Sequence, residues 1–208
     1  MELHVWLAFA SASIALLLIP GPTVLLILSY AISQGRRVAL ATVAGVALGD
    51  LIAMSASLAG LGALVLTSAK LFILLKWVGA AYLVYLGIKL FRSAPAASLG
   101  MLGDAPEASV RTVFAHSAAV TALNPKSIVF FIAFVPQFIH PNAVLAPQFG
   151  VLIATFVGFA AVNALAYALL ADKLRQKIAR PSVLPFLTRL GGATLVAMGV
   201  ATATLRRS

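Results

Sequence analysis

This 208-residue sequence predicts an all-α membrane protein of about six transmembrane helices, and three observations carry the prediction. Hydrophobic residues make up 62% of the chain and charged ones 10%, with a mean hydropathy of +1.06. An ordinary soluble domain runs about 45–50% apolar and about 25% charged, so a water-soluble enzyme, a disordered chain and a fibrous repeat are excluded. The apolar residues also fall into six runs, each near the roughly 20 residues needed to cross a bilayer, which leaves no room for an extramembrane domain. Finally, the two halves resemble one another, three runs apiece, and each half opens with a run interrupted by proline.

In chain order, helices are expected at about Val5–Ile32, Val38–Leu66, Leu71–Phe91, Thr112–Val135, Gln148–Leu170 and Leu184–Leu205. The first run follows Glu2 and His4 rather than a basic stretch and continues past the length of a signal peptide, so it is expected to be retained. Residues 93–110 are rich in Ala, Ser, Pro and Gly and read as a cytoplasmic linker between a first three-helix unit, 1–92, and a second, 111–208. Lys and Arg number 15 against 5 Asp and Glu. In a soluble protein that excess would raise nucleic-acid binding; in a membrane protein it is a loop bias, and no nucleic-acid partner is expected. Ten bases (Arg36, Arg37, Lys89, Arg92, Arg111, Lys173, Arg175, Lys177, Arg180, Arg189) fall on one side, against Lys70, Lys76, Arg206 and Arg207 on the other. That places the basic loops in the cytoplasm and both termini outside. If the first run does not cross fully, five spans remain and the N-terminus moves inside. With no cysteine, the chain has no disulfide or thiolate–metal framework.

The halves align in three blocks that keep their order. Ile19-Pro20-Gly21-Pro22-Thr23 resembles Leu123-Asn124-Pro125-Lys126, Gly45-VALG-Asp50 resembles Gly158-FAAV-Asn163, and Gly79-AAYLVYLG resembles Gly191-GATLVAMG, at offsets of 103, 113 and 112. One insertion around His140–Phe149 accounts for nearly all of the drift. Three spans per repeat is an odd number, so the second copy must enter the membrane from the opposite face. The result is an inverted repeat, the architecture typical of secondary transporters. Chance alignment of Gly- and Ala-rich helices is the alternative.

Pro20-Gly21-Pro22 lies about 15 residues into its run and Asn124-Pro125 about 12 into its own, roughly 18–23 Å deep and near mid-bilayer. Proline removes a helical hydrogen bond and clashes with the preceding turn, so helices 1 and 4 are expected to be broken there. Open backbone at that depth is tolerated where protein or a watery cavity receives it. The second halves, starting at Thr23–Val24 and Lys126–Ser127, would aim free N–H groups at an anion; a plain proline kink is the other reading. Asp50, also near mid-depth, costs about 2.5–3.5 kcal/mol on insertion scales and is a functional candidate for binding or proton transfer. Its structural alternative is pairing with Lys126, the other ionisable group at this depth. Asn163, the repeat mate of Asp50, keeps hydrogen-bonding capacity without charge. Gly45 and Gly49 form a GxxxG that lets another helix approach closely.

Phe130, Phe131, Phe134 and Phe138 suit packing or lipid contact better than a pocket, and Tyr82 and Tyr85 are ambiguous in the same way. Trp6 and Trp77 sit where interfacial aromatics are expected. His4, His116 and His140 have no metal-ligand spacing, and no metal, cofactor or catalytic residue is assigned. No Walker-type loop, Ser/His/Asp set or HExxH pattern is present, so neither ATP hydrolysis nor an intramembrane hydrolase is expected.

Together, Ile19-Pro20-Gly21-Pro22, Gly45-xxx-Gly49-Asp50, Gly79-AAYLVYLGIKLFR and Leu123-Asn124-Pro125-Lys126-xxxFFxxFxPQF resemble the LysE/RhtB family of bacterial amino-acid exporters, over nearly the whole chain. The resemblance implies a small inner-membrane efflux carrier, dimeric, exporting amino acids at the expense of the proton gradient. In the family's basic-amino-acid branch an acidic residue is expected soon after the Asn-Pro; this chain has Phe130 there. It is more similar to the homoserine/threonine branch, which implies a neutral or small polar substrate. On this reading the substrate-binding residues are Pro20, Gly21, Pro22, Thr23, Asp50, Asn124, Pro125, Lys126, Ser127 and Asn163. The substrate carboxylate would meet the half-helix N-termini and its ammonium would meet Asp50, which also couples protons. The partners are amino acid, protons, the lipid bilayer and a second copy of the chain. A non-transporting membrane scaffold or assembly subunit is the competing class; a passive channel would need a continuous polar lining, which the sequence lacks.

Overall fold

The structure, a computed structural model, describes residues 1–19, 21–67, 69–93, 108–140, 143–171 and 183–204, and every element among them is helical. Pro20, most of the 93–110 linker, and Lys173, Arg175, Lys177, Arg180, Arg206 and Arg207 lie outside the described residues, as do the side chains of Arg36, Arg37, Lys70 and Lys76.

Helix α1 covers Leu3–Leu18 and ends where the motif begins. Ile19 is extended (φ −72°, ψ 117°), as expected of a residue followed by proline, whose ring disfavours the α conformation behind it. Helix α2 starts at Pro22, in the first-turn position where a missing N–H costs nothing, and is helical through Thr67. The axis bends by 57° between Leu3–Leu18 and Pro22–Ala31. A straight helix of 46 residues would run about 69 Å, yet Val24 and Asp50 line one cavity. The chain therefore doubles back between residues 31 and 38, giving two arms, Pro22–Ala31 and Val38–Ala63. The reversal falls at the predicted basic connection, but the backbone there stays helical rather than opening into a loop.

Helix α3 covers Ala69–Ser93. Helix α4, Val110–Ala122, is capped by Ser109, whose hydroxyl accepts the Thr112 N–H at 3.1 Å. After a break at Leu123–Asn124 comes the short α5, Pro125–Val129, which passes into a π-helical turn, Phe130–Phe134, and a 3₁₀ turn, Val135–Phe138. Pro136 has no N–H to offer four residues back, so the α-helical ladder cannot continue through it. Helices α6, Leu145–Leu169, and α7, Val183–Thr204, complete the chain. Among the described residues three helices are long and apolar enough to cross a membrane, Val38–Ala63, Val110–Phe138 and Leu145–Leu169, and the bent α1–Pro22 pair makes a fourth.

Small residues set the packing. A Cβ on Gly49 would lie 2.6 Å from the Ala118 carbonyl and 2.7 Å from Thr121 Cβ, so α2 and α4 touch backbone to backbone. Helices α3 and α7 pair antiparallel. A Cβ on Gly87 would meet the Gly192 carbonyl at 2.6 Å and Val196 Cγ2 at 2.8 Å; one on Gly199 would meet the Ala80 carbonyl at 2.8 Å and Val84 Cγ2 at 2.7 Å. The main core is aromatic: Phe9, Phe130, Phe131, Phe134, Phe138 and Phe156 are buried around the π turn. Phe131 and Phe156 meet edge to face at 4.8 Å, as do Phe9 and Phe138 at 5.4 Å. The four phenylalanines of the 130–138 run therefore pack the core.

Candidate functional site

A helix that stops in an apolar interior leaves its last carbonyls without intrahelical partners. Here they are taken by side chains from the second half of the chain. Lys126 Nζ donates to Leu16 O and to Ile19 O, each at 3.0 Å. Asn163 Nδ2 donates to Leu17 O at 3.2 Å, and Tyr167 Oη to Leu18 O at 3.3 Å. An ammonium against a helix C-terminus is also favoured by the dipole. Asn163 and Tyr167, four apart on α6, share one helix face.

The two half-helix N-termini meet on the other side of the break. Asn124 caps α5, its Oδ1 accepting the Lys126 N–H at 3.0 Å, and its Nδ2 donates to Thr23 Oγ1 at 3.2 Å. In the first turn of α2, Leu25 N–H is bonded to Gly21 O. Those of Thr23 and Val24 precede that bond and have no hydrogen bond to a described residue.

Between these ends lies a small cavity of about 30 Å³, room for a few water molecules, so a larger ligand would enter only as the lining moves apart. Gly21, Thr23, Asp50, Asn124, Lys126, Ser127 and Asn163 line its polar part; Val24, Ile27, Val46, Ala160 and Ala164 are among its apolar liners. Asp50 is 3% exposed and has no hydrogen bond to a described residue. Asp50 and Lys126 share the cavity without an ion pair within 4.0 Å. A buried carboxylate with so little compensation is costly unless something else completes its shell.

Of the residues expected at the site, the structure thus brings together Gly21, Thr23, Asp50, Asn124, Lys126, Ser127 and Asn163. Pro22 and Pro125 begin the half helices and do not line the cavity, and Pro20 lies outside the described residues. The half helices start one residue earlier than expected, at the prolines themselves. Lys126 and Asn163 are committed first to α1 carbonyls, a task the sequence did not reveal. Tyr167 was missed, although its spacing from Asn163 was a usable signal. His116, assigned nothing from sequence, has its Nδ1 2.8 Å from Tyr30 Oη. Trp6, expected at an interface, donates from Nε1 to Thr155 Oγ1 at 3.0 Å and ties α1 to α6.

Apolar helices of membrane-spanning length, two of them broken around a small cavity lined by both polar and apolar side chains, define a helical integral membrane protein. The chain belongs to the LysE-type translocator family, whose family model matches residues 14–206. It is 35% identical over 206 residues to an uncharacterized membrane protein of Vibrio cholerae, covering 99% of this chain and 100% of the relative. It is 34% identical to the homoserine/homoserine lactone efflux protein of Salmonella typhimurium, over 100% of both chains. Against the leucine efflux protein of Klebsiella pneumoniae it is 30% identical over 138 residues, 66% of this chain and 65% of that one. No solved structure matches.

Proposed function

We propose that this protein exports a neutral or small polar α-amino acid across the bacterial inner membrane, in exchange for protons. One observation carries the reading: one cavity presents a carboxylate, Asp50, and an ammonium, Lys126, that feel each other's charge yet form no ion pair within 4.0 Å. A zwitterion complements both. Its ammonium meets Asp50. Its carboxylate meets the third Lys126 N–H, left over after two are spent on Leu16 and Ile19, and the open Thr23 and Val24 N–H groups. Asn163 Oδ1 and the Ser127 hydroxyl remain available to the same ligand. A proton and an ammonium compete for one Asp50 carboxylate, and that exclusivity is what an exchanger requires. The family match and the relatives named for homoserine and leucine efflux support amino acids as the cargo.

The carrier reading includes six spans in two inverted repeats, residues 1–92 and 111–208, joined by the 93–110 segment. The α3–α7 contacts support it. Gly87 against Gly192 and Val196 is repeated, at the same offset of 112, by Gly199 against Ala80 and Val84. Antiparallel helices with matched contacts are related by a two-fold axis perpendicular to both. Such an axis lies in the membrane plane if the helices cross it.

Purified protein in proteoliposomes with an imposed proton gradient tests the function. Efflux of homoserine, threonine or leucine is expected from the wild type and not from Asp50→Asn, which keeps the side-chain shape but holds no exchangeable proton. Unimpaired gradient-driven efflux in Asp50→Asn would remove the coupling role. A wild type that neither transports nor is thermally stabilised by any amino acid would leave a non-transporting membrane scaffold.

A further inference from the structure

Among the described residues, several hydroxyl groups on the helix surfaces are satisfied from within the chain, whereas the buried hydroxyls of Ser13, Ser117 and Thr121 are not. Ser11 Oγ donates to Leu7 O at 2.8 Å, Thr155 Oγ1 to Val151 O at 2.7 Å and Thr194 Oγ1 to Leu190 O at 2.9 Å. Two of the four tyrosines also have partners, Tyr30 with His116 and Tyr167 with Leu18. Tyr82 and Tyr85 do not. They stand on α3, 39% and 56% exposed, with ring centroids 5.8 Å apart and no hydrogen bond to a described residue. The apolar stretch Trp77–Lys89 has Leu83 at its middle, so both phenols emerge at its centre. Where α3 crosses the bilayer, as the six-span reading above has it, that centre is about 15 Å from either water surface, beyond the reach of a tyrosine. The matched contacts of Val84 and Val196 mark the same depth. A phenol O–H in hydrocarbon without a partner is unfavourable.

We propose that this face of α3 is the contact between two copies of the chain. In a two-fold dimer whose axis runs along the membrane normal, every residue keeps its depth, so the tyrosine pair of one copy meets that of the other. A phenol both donates and accepts, so self-pairing satisfies both sides, which lipid tails cannot do. Leu74, Val78, Ala81 and Ile88 are exposed beside them at helical spacing and supply an apolar flank. Helix α7 carries no such demand at this depth: the repeat mate of Tyr82 is Thr194, whose hydroxyl is already bonded to Leu190.

The chain has no cysteine, so a single Ala81→Cys variant reports on one position. Treated in membranes with a short bismaleimide, it is expected to form a species of twice 21.6 kDa, whereas Ala197→Cys on the exposed face of α7 stays monomeric. Equal linkage at both positions, no linkage at Ala81, or linkage only to a protein of another mass overturns the proposal. A Tyr82→Phe/Tyr85→Phe variant keeps both rings and loses both hydroxyls. Its dimer dissociation constant, read by single-molecule photobleaching over a lipid dilution series, is expected to rise roughly three- to tenfold, the scale of one or two interhelical hydrogen bonds in a membrane; an unchanged constant overturns the proposal too. Efflux by the same variants is a separate readout, so a dimer without transport counts against the carrier reading and not against this interface.

Discussion

Replacing Lys126 by Met separates two roles for the same side chain, holding the end of α1 and meeting a ligand. Met keeps much of the length and apolar volume but removes the donors to Leu16 O and Ile19 O, each at 3.0 Å. Hydrogen bonds to a charged group contribute about 1.5–3 kcal/mol each. Removing the ammonium also relieves the cost of keeping it out of water, and the carbonyl of Leu16 retains the Ile19 N–H at 3.3 Å. The net expectation is a destabilisation of about 2–4 kcal/mol. For a chain of this length about 2–4 °C of melting temperature accompanies each kcal/mol, so the midpoint in detergent should fall by roughly 5–15 °C. Asn163→Leu, which removes one neutral bond to Leu17 O, should cost about 0.5–1.5 kcal/mol. Thermal unfolding followed by the fluorescence of Trp6, which sits on α1 itself, in a Trp77→Phe background reads both. If Lys126→Met melted within a degree of wild type while transport was lost, the capping argument would be refuted and Lys126 would act on substrate alone.

Other substitutions probe the frame around the cavity. Gly49→Val forces a branched side chain into a gap where even a Cβ lies 2.6 Å from the Ala118 carbonyl; overpacking of about 1–3 kcal/mol or more should lower the melting point and the yield of folded protein. Asn124→Ala removes the cap of α5 and the link to Thr23, with an expected loss of about 1–2 kcal/mol and a larger fall in efflux than in stability. Pro22→Ala and Pro125→Ala allow the broken helices to continue and should impair transport in proteoliposomes; wild-type rates in either would remove the need for the breaks.

Much of the architecture was legible because its causes are local. The expected helix at Gln148–Leu170 is observed at Leu145–Leu169, as its apolar run length requires, and the one expected at Leu184–Leu205 is helical throughout the described residues Val183–Thr204. The breaks at Ile19–Gly21 and Leu123–Asn124 follow from covalent properties of proline that no packing can override. The grouping of Asp50, Asn124 and Asn163 was legible from depth, because polar residues at equal depth in a small bundle have few places to go. The destination of Lys126 was not: nothing along the chain says that an ammonium will turn toward carbonyls 107 and 110 residues away. The same limit applies to Phe130, Phe131 and Phe134, since a buried aromatic core and a pocket wall have the same spacing. The turn between the arms of α2 carries the basic pair that marks a loop, yet the backbone stays helical through it.

The bonds that close the end of α1 also set an order of events during synthesis. Leu16 waits for Lys126, 110 residues later, Leu17 for Asn163, 146 later, and Leu18 for Tyr167, 149 later. At roughly 5–20 residues per second on the ribosome, the last two partners arrive about 7–30 s after the carbonyls they serve. Through that interval the first helix ends in unmet polar groups that hydrocarbon penalises. The arms of α2 wait less long, Tyr30 for His116, 86 residues later, and Thr23 for Asn124, 101 later. On that order α1 is expected to be the last piece of the first half to reach its final packing, once α6 is nearly made.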